Sequence, residues 1–339
     1  MGHVNTTAKK STKKYYILAG IIAFIAFAWA MVWDFGRGAI RDFLRNGIAV
    51  AAQQGTNINC GAQDISGFPW KFELNCTPLI IDSKDIKLDL SQLTATALAY
   101  NPGHIIVALH SPFSTSIAHA GTTITANWQE ALTSARATTE GITQLDIDIN
   151  RLKAKITTSD LPIHFSVASG EVHLRETKNE QDLEAAIVAN AARLDVLPFN
   201  SPMDITSRIV LKSGANIIKN KPSSLEALLQ HGPLTFVIKQ LNAKVDGVSF
   251  KTSTALRLNP NGYLEGDLPL TVTGAQNLSN LLEPLFPSGS SLPSTIQAAA
   301  MAIGTTDSNG QVTANLPISY RKNRVYLGFI DLGPQQKLL

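Results

Sequence analysis

Apolar and polar residues alternate with a period of two through most of this chain, which restricts those stretches to strands with one buried face. The clearest run places Leu264, Gly266, Leu268, Leu270 and Val272 between Glu265, Asp267, Pro269, Thr271 and Thr273. Val248, Phe250, Leu256 and Leu258 alternate before it. The pattern recurs at Ile86-Leu88-Leu90, Ile105-Val107-Leu109, Leu145-Ile147-Ile149, Leu161-Ile163-Phe165-Val167 and Val312-Ala314-Leu316-Ile318. Turn formers stand between these runs at Asn101-Pro102-Gly103, Ser169-Gly170, Asp246-Gly247, Asn259-Pro260-Asn261-Gly262 and Ser308-Asn309-Gly310. The expected fold is mainly β, a β-rich α+β class with long antiparallel meander sheets, curved or sandwiched, and a few short helices.

Four helices are expected inside the body. Asn127 with Glu130, and Ser223 with Glu226, have the cap-x-x-acid spacing that satisfies free amides at a helix start, and His231-Gly232-Pro233 would end the second. Leu278, Leu281, Leu282 and Leu285 share one face of a helix over 276–285, and another is expected over 182–192. The strand and helix texture recurs in both halves, with a candidate join between two lobes near 198–202.

Ahead of the body stand Lys9, Lys10, Lys13 and Lys14, then an uncharged apolar run from Tyr15 to Trp33. A run of that length can cross a bilayer as one helix, and lysines on its N-terminal side keep that side in the cytoplasm. Ala26-Phe27-Ala28 and Ala28-Trp29-Ala30 also have the small-x-small form of a signal-peptide cleavage site. Continuation of the run through Met31, Val32 and Trp33, with Tyr15, Tyr16, Trp29 and Trp33 at the two interfaces, favours a retained signal-anchor. Either reading exports the body. The expected organisation is a cytoplasmic basic tail (1–14), a single-pass inner-membrane anchor (15–33), a juxtamembrane amphipathic helix (34–55) and a periplasmic body (56–339). Arg37, Arg41 and Arg45 recur every fourth residue of that juxtamembrane helix. They suit either anionic head groups or the solvated face of a helix held against the body.

Charge excludes one function class. Of 29 basic and 26 acidic residues, four lysines lie in the tail, so the exported part has 25 against 26 and a net charge near −1. No Lys/Arg stripe or nucleic-acid recognition motif accompanies it. Only two cysteines occur, Cys60 and Cys76, and an even pair in an oxidising compartment is expected to form a disulfide. Between them Ser66-Gly67-Phe68-Pro69-Trp70 reads as a turn joining two short strands. Closing a loop of about 15 residues contributes about 3 kcal/mol through the unfolded state.

Catalytic chemistry finds little support. His3, His104, His110, His119, His164, His173 and His231 are scattered without HxH or HxxxH pairs, so no metal or cofactor is expected. No nucleophile elbow, phosphate loop or dinucleotide fingerprint occurs. Asp146 and Asp148 lie two apart on a strand and read as part of a polar outer face. No catalytic residue is assigned, and a hydrolase without a recognisable motif is the least favoured of three readings.

The order of lysines, anchor, Cys60, Gly67-Phe68-Pro69-Trp70-Lys71-Phe72, Cys76, Asn127-Trp128 and the ending Tyr320-Arg321-Lys322-Asn323-Arg324-Val325-Tyr326-Leu327-Gly328 resembles domain-of-unknown-function family 2125, a family of Gram-negative envelope proteins. The resemblance spans nearly the whole chain and implies location and fold without an activity. More distantly, the texture is similar to the AsmA-like envelope proteins, whose anchor precedes long curved sheets with an apolar concave face. Asn261-Gly262-Tyr263-Leu264-Glu265-Gly266 looks like one of their glycine-marked hairpins. That likeness implies binding membrane lipid or another hydrophobic ligand along a groove, in envelope maintenance or lipid trafficking.

Physically, a sheet apolar on one face must cover it with helices, another sheet or a ligand. The few expected helices leave three solutions open: a sandwich, a rolled sheet or a partly open groove. On the ligand reading Val248, Phe250, Leu264, Leu268, Leu270 and Val272 line the groove; they serve a closed core equally well. The alternative is a structural or protein-interaction module with envelope proteins as partners and no ligand.

Overall fold

A computed structural model describes residues 13–61, 64–118, 120–158, 162–177, 179, 181–197, 199, 201–219, 228–230 and 232–338. Its first element is one unbroken helix, α1 (Lys13–Gln53), so the apolar run and the amphipathic segment after it form a single rod about 60 Å long. The first part is long and apolar enough to cross a membrane. Further on, the side toward the body carries Trp33, Gly36, Arg37, Ile40, Leu44 and Ile48, at the three-to-four-residue spacing of one helix face.

The rest of the described chain is dominated by one antiparallel sheet of 19 strands. Nearest α1 are β1 (Thr56–Cys60), β2 (Asp64–Ser66), β3 (Lys71–Cys76) and β4 (Leu79–Ser83). Strands β3 and β4 lie end to end along β5 (Ile86–Leu98), with β2 outside β3 and β1 outside β4. The next strand, β6 (Asn101–Ile117), faces a second end-to-end pair, β7 (Thr122–Asn127) and β8 (Glu130–Thr138), and β9 (Gly141–Thr157) closes over both. From there the meander runs strand to neighbour through β10 (Pro162–Glu176), β11 (Leu183–Leu194), β12 (Met203–Leu211), β13 (Leu234–Val245), β14 (Val248–Leu258) and β15 (Leu264–Thr273). After α2 (Leu278–Leu282) and α3 (Leu292–Ile303), β16 (Thr305–Thr306) and β17 (Val312–Arg321) return beside β15, and β18 (Arg324–Leu327) and β19 (Ile330–Pro334) finish the sheet. The expectation of long meanders with few short helices holds, and the solution is one sheet rather than a sandwich.

Several local expectations are corrected. Asn127 and Glu130 do not start a helix; Asn127 ends β7 and Glu130 begins β8, because β6 and β9 on either side supply ladder partners for both strands. The helix expected over 182–192 is β11, whose alanine-rich sequence has high helix propensity but is overridden by pairing with β10 and β12. Asn101-Pro102-Gly103 lies inside β6, the turn falling at Ala99-Tyr100, and Ser169-Gly170 lies inside β10. The helix expected from Ser223 falls almost wholly outside the described residues, which show only Leu228 and Leu229 as helical. The 276–285 helix is present as α2 flanked by single 3-10 turns, whereas α3 was unanticipated. The candidate join near 198–202 falls in the connection between β11 and β12, which pair across it.

Two closed apolar clusters lie in the second half. One gathers Val245, Val248, Val272, Ala275, Leu278, Leu281, Ile296, Ala300, Val312, Ala314, Leu316 and Leu327, so α2 and α3 seal this end of the sheet. The other gathers Leu211, Leu229, Leu234 and Leu258. The chain as a whole keeps 21224 Å² of accessible surface, against about 13,500 Å² for a compact monomer of its 36.5 kDa. A projecting helix and an open sheet both add surface that a globule would bury.

Candidate functional site

Directly paired residues of antiparallel neighbours project to the same face of a sheet, so the register assigns each side chain to a side. Starting at β3, the row Leu74, Ala95, Val107, Thr133, Ile147, Val172, Ile187 and Ser207 crosses eight strands in successive pairs. The row beside it, Phe72, Ala97, Ile105, Ala135, Leu145, Leu174, Ala185 and Ile209, does the same. Both continue through Ile238, Leu241 and Ala243 toward Phe250 and Val272. One face of the sheet is therefore apolar nearly from end to end.

A crease crosses this face without interrupting it. Arg151 and Ala191 have left-handed φ of 52° and 51°, and register shifts occur beside Ser91 and at Ala191. Beyond Arg151 the apolar parity changes, and Leu152, Ala154 and Ile156 take over from Leu145, Ile147 and Ile149. Bulges re-aim side chains in this way, and here they hand the face from one row to the next. Polar groups satisfy the backbone along the fold line. Trp128 Nε1 donates to Leu109 O (2.8 Å), Ser111 Oγ to Trp128 O (3.0 Å), Ser91 Oγ to His110 O (2.7 Å), and the Ala191 amide to Asp204 Oδ1 (2.8 Å).

The opposite face is charged. Glu184 on β11 pairs with Arg175 (3.3 Å) and Arg208, and these arginines hold its carboxyl below the usual range, Arg208 contributing most. His173 Nδ1 meets Asp146 Oδ1 at 2.8 Å and its Nε2 meets Glu171 Oε2 at 3.3 Å. The Asp146 hydrogen bond, with help from Glu171, holds His173 above the ordinary imidazole range. The ring bonds outward through both nitrogens, so the carboxylates do not converge on a common point. Among the described residues no group of three or more His, Cys, Asp or Glu could hold a metal ion.

Helices meet the apolar face at its ends. At the first end, α1 and the sheet enclose an apolar cleft of about 240 Å³ lined by Leu44, Ile48, Ile58, Leu74, Leu79 and Leu93. The Cys60–Cys76 disulfide, with Cα atoms 4.8 Å apart, forms part of its wall and ties β1 to β3. Trp33 is buried against the sheet corner, stacked on Phe72 (5.6 Å, 16°) and edge-on to Phe68 (5.4 Å, 83°). Arg37 bonds Asp64 at 3.3 Å, so this member of the arginine series faces the body, while Arg41 and Arg45 are exposed. At the far end stand the two closed clusters. Between these ends, Ile105, Val107, Leu145, Ile147, Val172 and Ile205 are only partly buried, and Ile187 is 39% exposed.

The six residues expected to line a groove share this face but differ in environment. Val248 and Val272, 1% and 0% exposed, belong to the closed core under α2 and α3, with Phe250 and Leu270 packed against it. Leu264 borders the second cluster. Leu268 sits where the β14–β15 ladder opens: pairing is recorded at Lys251–Thr271 and at Arg257–Glu265, and between them Thr252 and Thr254 hydroxyls donate to Pro269 O and Asp267 O. The partly buried residues of β6–β12 were not nominated. Their alternation was visible in the sequence, but their position away from any helix was not.

An amphipathic single sheet behind a long apolar helix, closed over by helices at its far end and only partly buried elsewhere, defines a class of helix-led β-sheet protein. The chain belongs to the family described as "Uncharacterized protein conserved in bacteria (DUF2125)", whose model matches residues 33–336. No curated protein and no solved structure matches it.

Proposed function

We propose that this protein binds membrane lipid, through its acyl chains, along the apolar face of its sheet, serving envelope maintenance or lipid trafficking from an inner-membrane anchor. The observation that carries the reading is the continuous apolar face, sealed by α2 and α3 at its far end and only partly buried over the rest of its length. A contiguous row of apolar side chains left only partly buried is the kind of surface that takes a ligand or partner.

The location belongs to the same proposal: single-pass, lysine-rich N-terminus in the cytoplasm, body in the periplasm. Its support is the apolar length of α1, its flanking lysines and the disulfide. Retention of α1 is favoured over cleavage because Trp29 Nε1 donates to Pro69 O (2.9 Å), a contact that cleavage after Ala30 would remove. The role assigns no catalytic step, cofactor or nucleic acid. The reading as an interaction module for envelope proteins draws on Phe329, 95% exposed at the β18–β19 hairpin tip.

Native mass spectrometry with lipid extraction on the full chain, purified from the envelope, tests the proposal. Near-stoichiometric phospholipid is expected, and Val172→Glu, which places a charge mid-face, is expected to reduce it by at least about tenfold while the fold survives. A lipid-free mass from well-folded, oxidised protein overturns the reading and leaves the interaction module.

A further inference from the structure

We infer that the turn edge of the sheet beside α1 is seated in the outer leaflet of the membrane that α1 crosses, with the head-group and acyl boundary of that leaflet as its partner. The inference rests on the anchored, lipid-binding reading above and deepens it.

Depth is the first argument. About 20 helical residues cross the hydrocarbon, so a span starting at Tyr15 reaches its outer edge near Asp34. The sheet touches α1 at and below that level: Trp29 Nε1 bonds Pro69 O at 2.9 Å, Trp33 Nε1 bonds Lys71 O at 3.1 Å, and the Trp33 ring is held by Phe68 and Phe72. The Gly67–Trp70 turn therefore cannot stand clear of the bilayer while α1 spans it.

Composition is the second argument, independent of depth. Phe68, Trp70 and Tyr100 are 55%, 67% and 70% exposed, an arrangement that a turn edge in water gives no reason for. Trp70 and Tyr100 belong to adjacent turns, joined by the Ala99 amide donating to Trp70 O (2.9 Å). Amphipathic rings of this kind collect at membrane interfaces. Charges stand next to them in the order an interface requires: Lys71 pairs with Glu73, and Arg37, one turn beyond Trp33, pairs with Asp64.

Seating this edge has a consequence for the apolar face. Phe72, Ala97, Ile105 and Ala135 form its row nearest the same turns. An acyl chain in the leaflet would meet the face without crossing water.

The test uses the full chain in vesicles of phosphatidylethanolamine and phosphatidylglycerol, with a photoreactive phenylalanine analogue in place of Trp70, Tyr100, Val172 or Phe329. Lipid adducts are expected at 70 and 100 and not at 329, a still more exposed aromatic near the other end of the chain. Trp70→Glu with Tyr100→Glu is expected to cut lipid capture from vesicles at position 172 by at least about tenfold, while capture from detergent-dispersed lipid is unchanged. Lipid adducts at 172 without any at 70 or 100, or protein adducts at 70 and 100, overturn the seated edge and leave the lipid-binding reading standing. Lipid adducts at 70 and 100 with none at 172 support the seated edge and count against lipid binding on the face.

Discussion

At Gly36, α1 rests closely on the sheet. A Cβ there would lie 2.8 Å from Phe72 Cζ, and Phe72 cannot swing freely because it is stacked on Trp33. Two residues along, a Cβ on Gly38 would meet nothing within 4 Å. Helix propensity alone favours alanine over glycine by about 1 kcal/mol at either site. Gly38→Ala is therefore expected to raise the melting temperature of the full chain in detergent micelles, and Gly36→Ala to leave it unchanged or lower it, the ring displacement offsetting the propensity gain. Equal gains at both sites would show that the helix does not rest on Phe72. Arg151 and Ala191 illustrate the other way one residue acts at a distance, since each left-handed φ sits where the apolar parity of its strand is handed on.

At the scale of elements, β9, β10 and β11 are held by apolar pairs on one face and ion pairs on the other. His173 links β10 to Asp146 on β9. Its folded pKa lies above the unfolded value of 6.5, so its contribution to stability is fully present below that pH and is lost as pH rises through the folded value. The ring is nearly half exposed and solvent screens it, so the effect is small, on the order of 0.5 kcal/mol. Urea midpoints of wild type and His173→Gln are expected to differ at about pH 5.5 and to converge by about pH 9. A gap that widens with pH would reverse the assignment. The same strands show why local signals failed. Alanine-rich β11 and the cap-like Asn127 and Glu130 were read as helical from nearest neighbours, while backbone pairing with strands on both sides decided their conformation.

For the whole molecule the question is which part of the apolar face is closed. Val272, wholly buried beneath α2 and α3, and Ile187, partly exposed at mid-sheet, look alike in an alternating pattern. Val272→Glu buries an unpaired charge and is expected to cost more than about 3 kcal/mol, enough to unfold the C-terminal end. Ile187→Glu is expected to cost less than about 1 kcal/mol, because the carboxylate reaches water. Denaturant unfolding followed by circular dichroism distinguishes them, and comparable losses at both positions would mean that the mid-sheet face is covered in solution.

The amino-acid sequence by itself determined the apolar N-terminal helix, the disulfide, the mainly β class and the two-sidedness of the strands. Each of these follows from local chemistry: run length, a single pair of cysteines, and a period-two pattern expressed by strands with one buried face. The tertiary structure decided that one sheet, and not two, carries every described strand, and that helices close the face at its far end and leave its middle partly open. It also decided that Trp29 and Trp33 hold the Gly67–Trp70 turn against α1. Those outcomes depend on register and on contacts between residues dozens of positions apart. A side chain's parity says that it has an inner face, but only the placement of other elements says what that face meets.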